Sequence, residues 1–302
     1  KIRFYMKNEK FYYRINKFKN LTKKFYESVT TFYYILFQNK DLKDIILKNR
    51  RFLSNCGPFL KSQEFELNDY GMDKSIFINL DKPLNHFPTY TDLILYSQKF
   101  LSNKKINYLE IGVSVMKNFM QIDNYLVGSN LVAYDINPVV PKYENDFKLS
   151  ESSKRSNSKI YHNKTKNNLS YFMGSVLDQK DTSNFNDFIN FKFNLIFSDA
   201  LHTPEGVWSE YKNIISENLD NEFILFFDDL DFEGLSSTAK QIFDDLSKNN
   251  KELYFTSFKA NGWVGQHEKR HKNGIISNIN FYKIFNENNI NLPQMKLEIY
   301  KS

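Results

Sequence analysis

The sequence predicts an α/β protein in which a mostly parallel sheet is covered on both faces. Three observations predict it. Short apolar runs begin near residue 106 and alternate with segments of helical spacing. Several of these runs end at an acid or a glycine, the pattern of a strand turning into a helix. The 302 residues, 41% apolar and 25% charged, suffice for one large domain with an accessory segment.

Seven strands are expected, over 106–111, 131–134, 170–173, 193–198, 222–227, 253–258 and 279–284. Helices are expected over 117–126, 204–218 and 235–249, with an earlier one over 91–101 that Thr91 would cap. The last two strands are joined by a loop over 259–274 with no helix, so the final strand should be reversed. Residues 142–168 are dominated by Lys, Ser and Asn where a crossover helix would stand, and read as a polar surface insertion.

Residues 1–85 form a basic, aromatic-rich extension, and 86–302 the α/β domain. In the extension, apolar residues at helical spacing run over 25–37, and a second basic helix over 41–52 should end at Asn55-Cys56-Gly57-Pro58. Residues 1–62 hold 15 Lys and Arg against 4 Asp and Glu, while the remainder holds 26 against 31. Such an arm either meets nucleic acid, an anionic membrane surface or an acidic partner, or is a solvated helical face. Its Phe and Tyr stripe reads first as packing against the body.

Cys56 is the single cysteine, which excludes an intrachain disulfide and a Cys-based zinc site and fits a reducing, cytoplasmic setting. No apolar run approaches the roughly 18–20 residues that span a bilayer. The sequence begins at Lys1, leaving room for a start methionine or a removed leader before it.

Four strand ends carry the candidate chemistry. The first is Tyr108-Leu109-Glu110-Ile111-Gly112-Val113-Ser114, where glycine lets a ligand approach the backbone near a helix N-terminus. Gly112 is the lone glycine between Tyr108 and Val127, so the G-x-G-x-x-G dinucleotide fingerprint is absent, against an NAD enzyme. The second is Asp135, which either accepts hydrogen bonds from ribose hydroxyls or caps the segment after it. The third and fourth are Asp199, followed by His202, and the pair Asp228-Asp229. Three carboxylates converging on one crevice repel unless a cation or protons compensate them, and a hard ion such as Mg²⁺ suits oxygen ligands. The plainer reading is a solvated turn. The loop from Asn261 to Glu268, with His271, either walls a substrate pocket or is an ordinary connection around a packed Trp263.

Taken in order, Gly112, Asp135, the turn Gly174-Ser175-Val176-Leu177-Asp178, Asp199 and Asp228-Asp229 resemble the class I S-adenosylmethionine-dependent methyltransferases. The nearest likeness is to metal-dependent small-molecule O-methyltransferases of the catechol and macrolide-sugar types, over roughly residues 103–285. The segment from Asp199 through His202 and Glu205 to Gly206-Val207 is also similar to a broader methyltransferase group.

The resemblance implies a Rossmann-like domain with S-adenosylmethionine as methyl donor. Glu110 and Gly112 would shape the methionine pocket, Asp135 would hold the ribose, and Ser175, Val176 and Leu177 would edge the adenine. Asp199, Asp228 and Asp229 would hold the metal, with Mg²⁺ as the ion. His202 would be the base, since its near-neutral titration suits removal of a hydroxyl proton, or else a structural group starting the next helix. The implied acceptor is a small hydroxylated molecule such as a sugar.

Two positions depart from the family pattern. Its second glycine falls at Met116, whose bulk would crowd the cofactor's carboxyl end, and Asp229 stands where the catechol type has an amide. Two rival readings follow: an RNA methyltransferase that uses the basic arm, and a Rossmann-like scaffold without cofactor. Oligomeric forms fit any of the three.

Overall fold

The computed structural model describes residues 39–61, 88–114, 116–138, 147–149, 157–162, 166–262 and 270–301. The expected helix over 25–37, the loop from Trp263 to Glu268 and most of the polar insertion lie outside them. Among the described residues the helices are, in chain order, α1 (Lys40–Lys61), α2 (Tyr90–Ser97), α3 (Lys117–Tyr125), α4 (Gln179–Phe188), α5 (Pro204–Glu210, continued by a π-helical stretch Tyr211–Ile215 and a last turn Ser216–Asn218), α6 (Leu235–Ser247) and α7 (Phe281–Glu287). The strands are β1 (Asn107–Ile111), β2 (Asn130–Asp135), β3 (Phe147–Leu149), β4 (Asn157–His162), β5 (Asn168–Met173), β6 (Phe193–Ser198), β7 (Leu219–Phe227), β8 (Leu253–Ala260), β9 (His271–Ser277) and β10 (Lys296–Lys301).

All ten strands join one sheet in the order β10-β8-β9-β7-β6-β1-β2-β5-β4-β3. The pairs linking β5, β2, β1, β6 and β7 are parallel, while β9 pairs antiparallel with both β7 and β8. This is the doubly wound Rossmann-like order with one reversed strand inserted before the last parallel one. Order reverses between β1 and β6, so the ligand crevice of such a sheet opens above Gly112 and Asp199.

Period-two alternation sends successive side chains of one strand into two different cores. Tyr108 joins the face covered by α1, α2, α3 and α7, whereas Leu109 and Ile111 join the face covered by α4, α5 and α6. Both faces are therefore dry, which is why the strands read as unbroken apolar runs. Local signals set the helix starts. Thr89 caps α2 in a reciprocal box with Asp92, Asp178 caps α4, and Thr203 caps α5 ahead of Pro204.

The structure corrects several expected elements. The cap of α2 is Thr89, two residues before Thr91, and α2 passes into a short tighter turn at Gln98–Phe100. Helix α1 continues to Lys61, past Gly57 and Pro58. The segment 279–284 is not the last strand of the sheet. Asn280 accepts from the amide of Lys283, and Phe281 and Phe285 bury one helical turn apart, so α7 forms there. The reversed strand is β9, and β10 adds a further antiparallel edge on β8. The polar insertion contributes β3 and β4, which extend the opposite edge antiparallel to β5.

Helix α1 is tied to α2 by a buried ion pair. Asp92 of α2 accepts from Arg50 Nη2 and Asn49 Nδ2 of α1, each at 2.7 Å, and from the amide of Thr89 at 2.9 Å. Both charged groups are almost fully buried. Removing one partner leaves the other charge uncompensated in a dry setting. The variant Asp92→Ala is expected to lose about 3–5 kcal/mol of stability, read by urea unfolding; a loss under about 1 kcal/mol, the scale of an exposed pair, would show that the link is solvated.

Candidate functional site

Backbone pairing at the C-terminal ends of the parallel strands sets the geometry. The amide of Gly112 donates to Tyr134 O at 2.8 Å, that of Gly174 to Asp135 O at 2.9 Å, and that of Asp199 to Ile111 O at 2.9 Å. Gly112 has φ +87°, and a Cβ there would stand 2.3 Å from Asp199 O and 2.5 Å from Ala200 Cα. No side chain fits between the turns after β1 and β6, so glycine is required for both conformation and space.

Asp135 ends β2 with its carboxylate facing the turn after β1. Its Oδ2 accepts from the amide of Ser114 at 2.7 Å, and its Oδ1 from the amide of Asn137 at 2.9 Å. On the neighbouring strand end, Ser175 donates its amide to Asp181 Oδ2 and Val176 is buried, while Leu177 is half exposed. Ile136, directly after Asp135, is 67% exposed. Sequence reasoning passed over Ile136, because one apolar residue after a strand carries no periodic signal.

Met116 does not stand out in solvent. It takes φ +61° at the start of α3, is fully buried, and joins the apolar core containing Val113, Phe119 and Tyr108. Beneath the crevice lies Glu110, on the same face as Tyr108. Its Oε2 accepts from Tyr108 OH at 2.7 Å and Asn118 Nδ2 at 2.9 Å, and Thr91 Oγ1 donates to Asn118 Oδ1 at 2.6 Å. Burial pushes the Glu110 carboxyl up to about 8, and the charges of Asp199 and Asp135 both add to the rise.

Beyond Gly112 the remaining acids converge with two imidazoles. His202 Nε2 lies 3.4 Å from Asp199 Oδ1 and 3.3 Å from Asp229 Oδ2. His271 Nδ1 meets Asp229 Oδ1 in a short contact. Asp228 Oδ1 accepts from the amide of Asp229 at 2.8 Å, and Asp229 takes φ +54°, which turns the chain at the end of β7. The donor atoms of Asp199, His202 and Asp229 lie within 4.8 Å of one another, as do those of Asp228, Asp229 and His271. This mixed carboxylate and imidazole set fits a divalent cation.

Charges in this cluster are strongly interdependent. Burial raises the carboxyl of Asp199 and lifts that of Asp228 well above its ordinary range, with the neighbouring acids reinforcing both. The hydrogen bond to Asp199 raises His202, and the one to Asp229 pushes His271 up to about 9. Phe232, 51% exposed, stacks on the His202 ring with centroids 5.1 Å apart. Below them, Glu210 accepts from Ser198 Oγ at 2.5 Å, and burial pushes it up to about 7. Of these, the sequence missed Glu210 and Phe232, whose roles come from helix and loop placement, and it left His271 between a pocket wall and an ordinary connection.

Glu110 supplies a pH prediction. Its folded carboxyl near 8 lies above the ordinary 4.5, so the neutral form is favoured in the folded state. Stability should fall as pH rises from about 4.5 to 8, by a few kcal/mol, since each tenfold change in proton affinity is worth roughly 1.4 kcal/mol. Glu110→Gln, which keeps an acceptor for Tyr108 and Asn118, is expected to flatten that slope in urea unfolding at pH 5 and 8. An unchanged slope would assign the dependence elsewhere.

No family model and no curated protein sequence matches the chain. Similar solved structures include an O-methyltransferase from Bacillus cereus in complex with SAH, at 11% identity over 76% of this chain and 99% of that one, with a TM-score of 0.42. Another is the O-methyltransferase TomG from Streptomyces achromogenes in complex with SAM, at 10% identity over 76% and 97%, TM-score 0.44. A third is spermidine synthase from Thermotoga maritima, at 11% identity over 63% and 59%, TM-score 0.38.

Proposed function

We propose that this chain is an S-adenosylmethionine-dependent methyltransferase that methylates a hydroxyl oxygen of a small acceptor with the help of a divalent metal ion. One observation carries the reading. An acid suited to ribose, Asp135, and two overlapping ion-suited sets, Asp199-His202-Asp229 and Asp228-Asp229-His271, lie at the strand ends around the turn at Gly112, where strand order reverses.

Each residue then has a task. The turn at Gly112, closed against Asp199 and Ala200, would carry the cofactor's methionine end, with Glu110 as the floor. Asp135 accepts from the ribose hydroxyls, exchanging its bond to Ser114 for them. Ile136 and Leu177 offer apolar faces to the adenine, with Ser175 and Val176 at its edge. Asp199, Asp228 and Asp229 would hold the ion, whose Lewis acidity lowers the pKa of an acceptor hydroxyl when bound. His202 would take the hydroxyl proton on Nε2 once that nitrogen is freed from Asp199 and Asp229, which favour its protonated form here, and its stacking on Phe232 holds the ring in place. Glu210, through Ser198, braces the end of β6 beneath Asp199. A flat or aromatic face of the acceptor has the exposed Phe232 to lie against.

The first test is equilibrium dialysis with labelled S-adenosylmethionine. Binding in the roughly micromolar range is expected, weakened about 10–100-fold by Asp135→Ala, the loss of charge-assisted hydrogen bonds. No binding by the wild-type chain would leave only a scaffold. Once an acceptor is in hand, His202→Ala is expected to lower kcat by about 10²–10⁴-fold with donor binding kept. A normal kcat in that variant would remove His202 as the base.

A further inference from the structure

Three of the cluster's carboxylates come from the ends of β6 and β7, as the strand-end logic of the fold provides. His271 does not. It is the first residue of β9, the reversed strand beside β7, and it reaches the cluster from the opposite chain direction. Asp229 stands between the two imidazoles, with Oδ1 toward His271 and Oδ2 toward His202. Asp228, Asp229 and His271 bring one oxygen or nitrogen each into a space no wider than 4.8 Å. Ligands at about 2.0–2.2 Å from a tetrahedral or octahedral ion lie roughly 3–3.5 Å apart, so small side-chain rotations would close this set on a cation.

Ligand chemistry then decides which cation. Mg²⁺ prefers an all-oxygen shell, keeps several waters and gives them up reluctantly. An imidazole nitrogen favours the later first-row divalent ions, whose affinity for nitrogen-bearing sites rises along the series. We propose that His271, with Asp228 and Asp229, ligates the metal ion, and that the centre selects a borderline ion such as Fe²⁺, Co²⁺ or Zn²⁺ over Mg²⁺. This rests on the metal-assisted reading above and separates the two histidines: His271 binds the ion, and His202 handles the proton.

The test uses the full chain after treatment with a chelator, titrated separately with Co²⁺ and Mg²⁺. Calorimetry reports affinity, and the visible absorption of Co²⁺ reports its ligands. Co²⁺ is expected to bind at least about tenfold tighter than Mg²⁺. His271→Ala should weaken Co²⁺ by about tenfold or more, the scale at which even an outer partner of a metal ligand matters, and leave Mg²⁺ little changed.

Equal affinities for the two ions, or a His271→Ala variant that binds Co²⁺ like the wild type, would overturn the proposal. If that variant unfolds, the Cu²⁺-loaded His202→Ala variant answers instead. Pulsed electron paramagnetic resonance should still detect an imidazole nitrogen there, and its absence would sink the assignment. Dialysis with S-adenosylmethionine on the same samples keeps the two readings apart. Donor binding without Co²⁺ preference defeats this inference alone, whereas Co²⁺ binding through His271 without donor binding defeats methyl transfer and leaves the ligand assignment standing.

Discussion

The architecture depends on one steric fact, the absence of a side chain at residue 112. The turns that follow β1 and β6 pass so closely that a Cβ would overlap the Asp199 carbonyl oxygen at 2.3 Å. That approach lets the Asp199 amide bond to Ile111 O and brings Asp199 to the place where the sheet reverses its winding. Asp135 then ends the strand on one side of these turns, and Asp228-Asp229 follow the strand on the other. A sheet with the same strands but a wider turn would hold these carboxylates apart.

The second constraint is electrostatic. Glu110, Asp199, Glu210, Asp228 and Asp229 lie within a few strand ends of one another in a dry setting, a costly gathering of like groups. The molecule meets that cost in two ways. Glu110 and Glu210 sit deepest, and burial favours their neutral forms, bonded to Tyr108 and Asn118 or to Ser198. The outer acids instead face imidazoles.

Much of this was legible in the chain. The parallel core strands were readable because burial on both faces makes them continuous apolar runs, and the strand-end acids because turns from strand to helix repeat the same grammar. The misreadings have physical causes. In α4 only Thr182 and Phe185 bury, so its helical stripe is too thin to see. The start of β9 is polar, His271-Lys272-Asn273-Gly274, with only His271 at the cluster and Asn273 and Gly274 buried, and this hid the reversed strand. At 279–284 the apolar content mimicked a strand, while the cap at Asn280 and the spacing of Phe281 and Phe285 dictated a helix. The pairing of His271 with Asp229 joins residues 42 positions apart, which no local pattern reports.

The placement of β9 between β7 and β8 has a consequence for how the chain matures. During synthesis β7 and β8 emerge before β9, yet they cannot lie side by side, since the later strand must slot between them. β9 therefore takes its place between them only after both have been made. A nascent chain that has already laid down Asp228 and Asp229 lacks the ring that faces them, and the cluster closes only when folding of the sheet does.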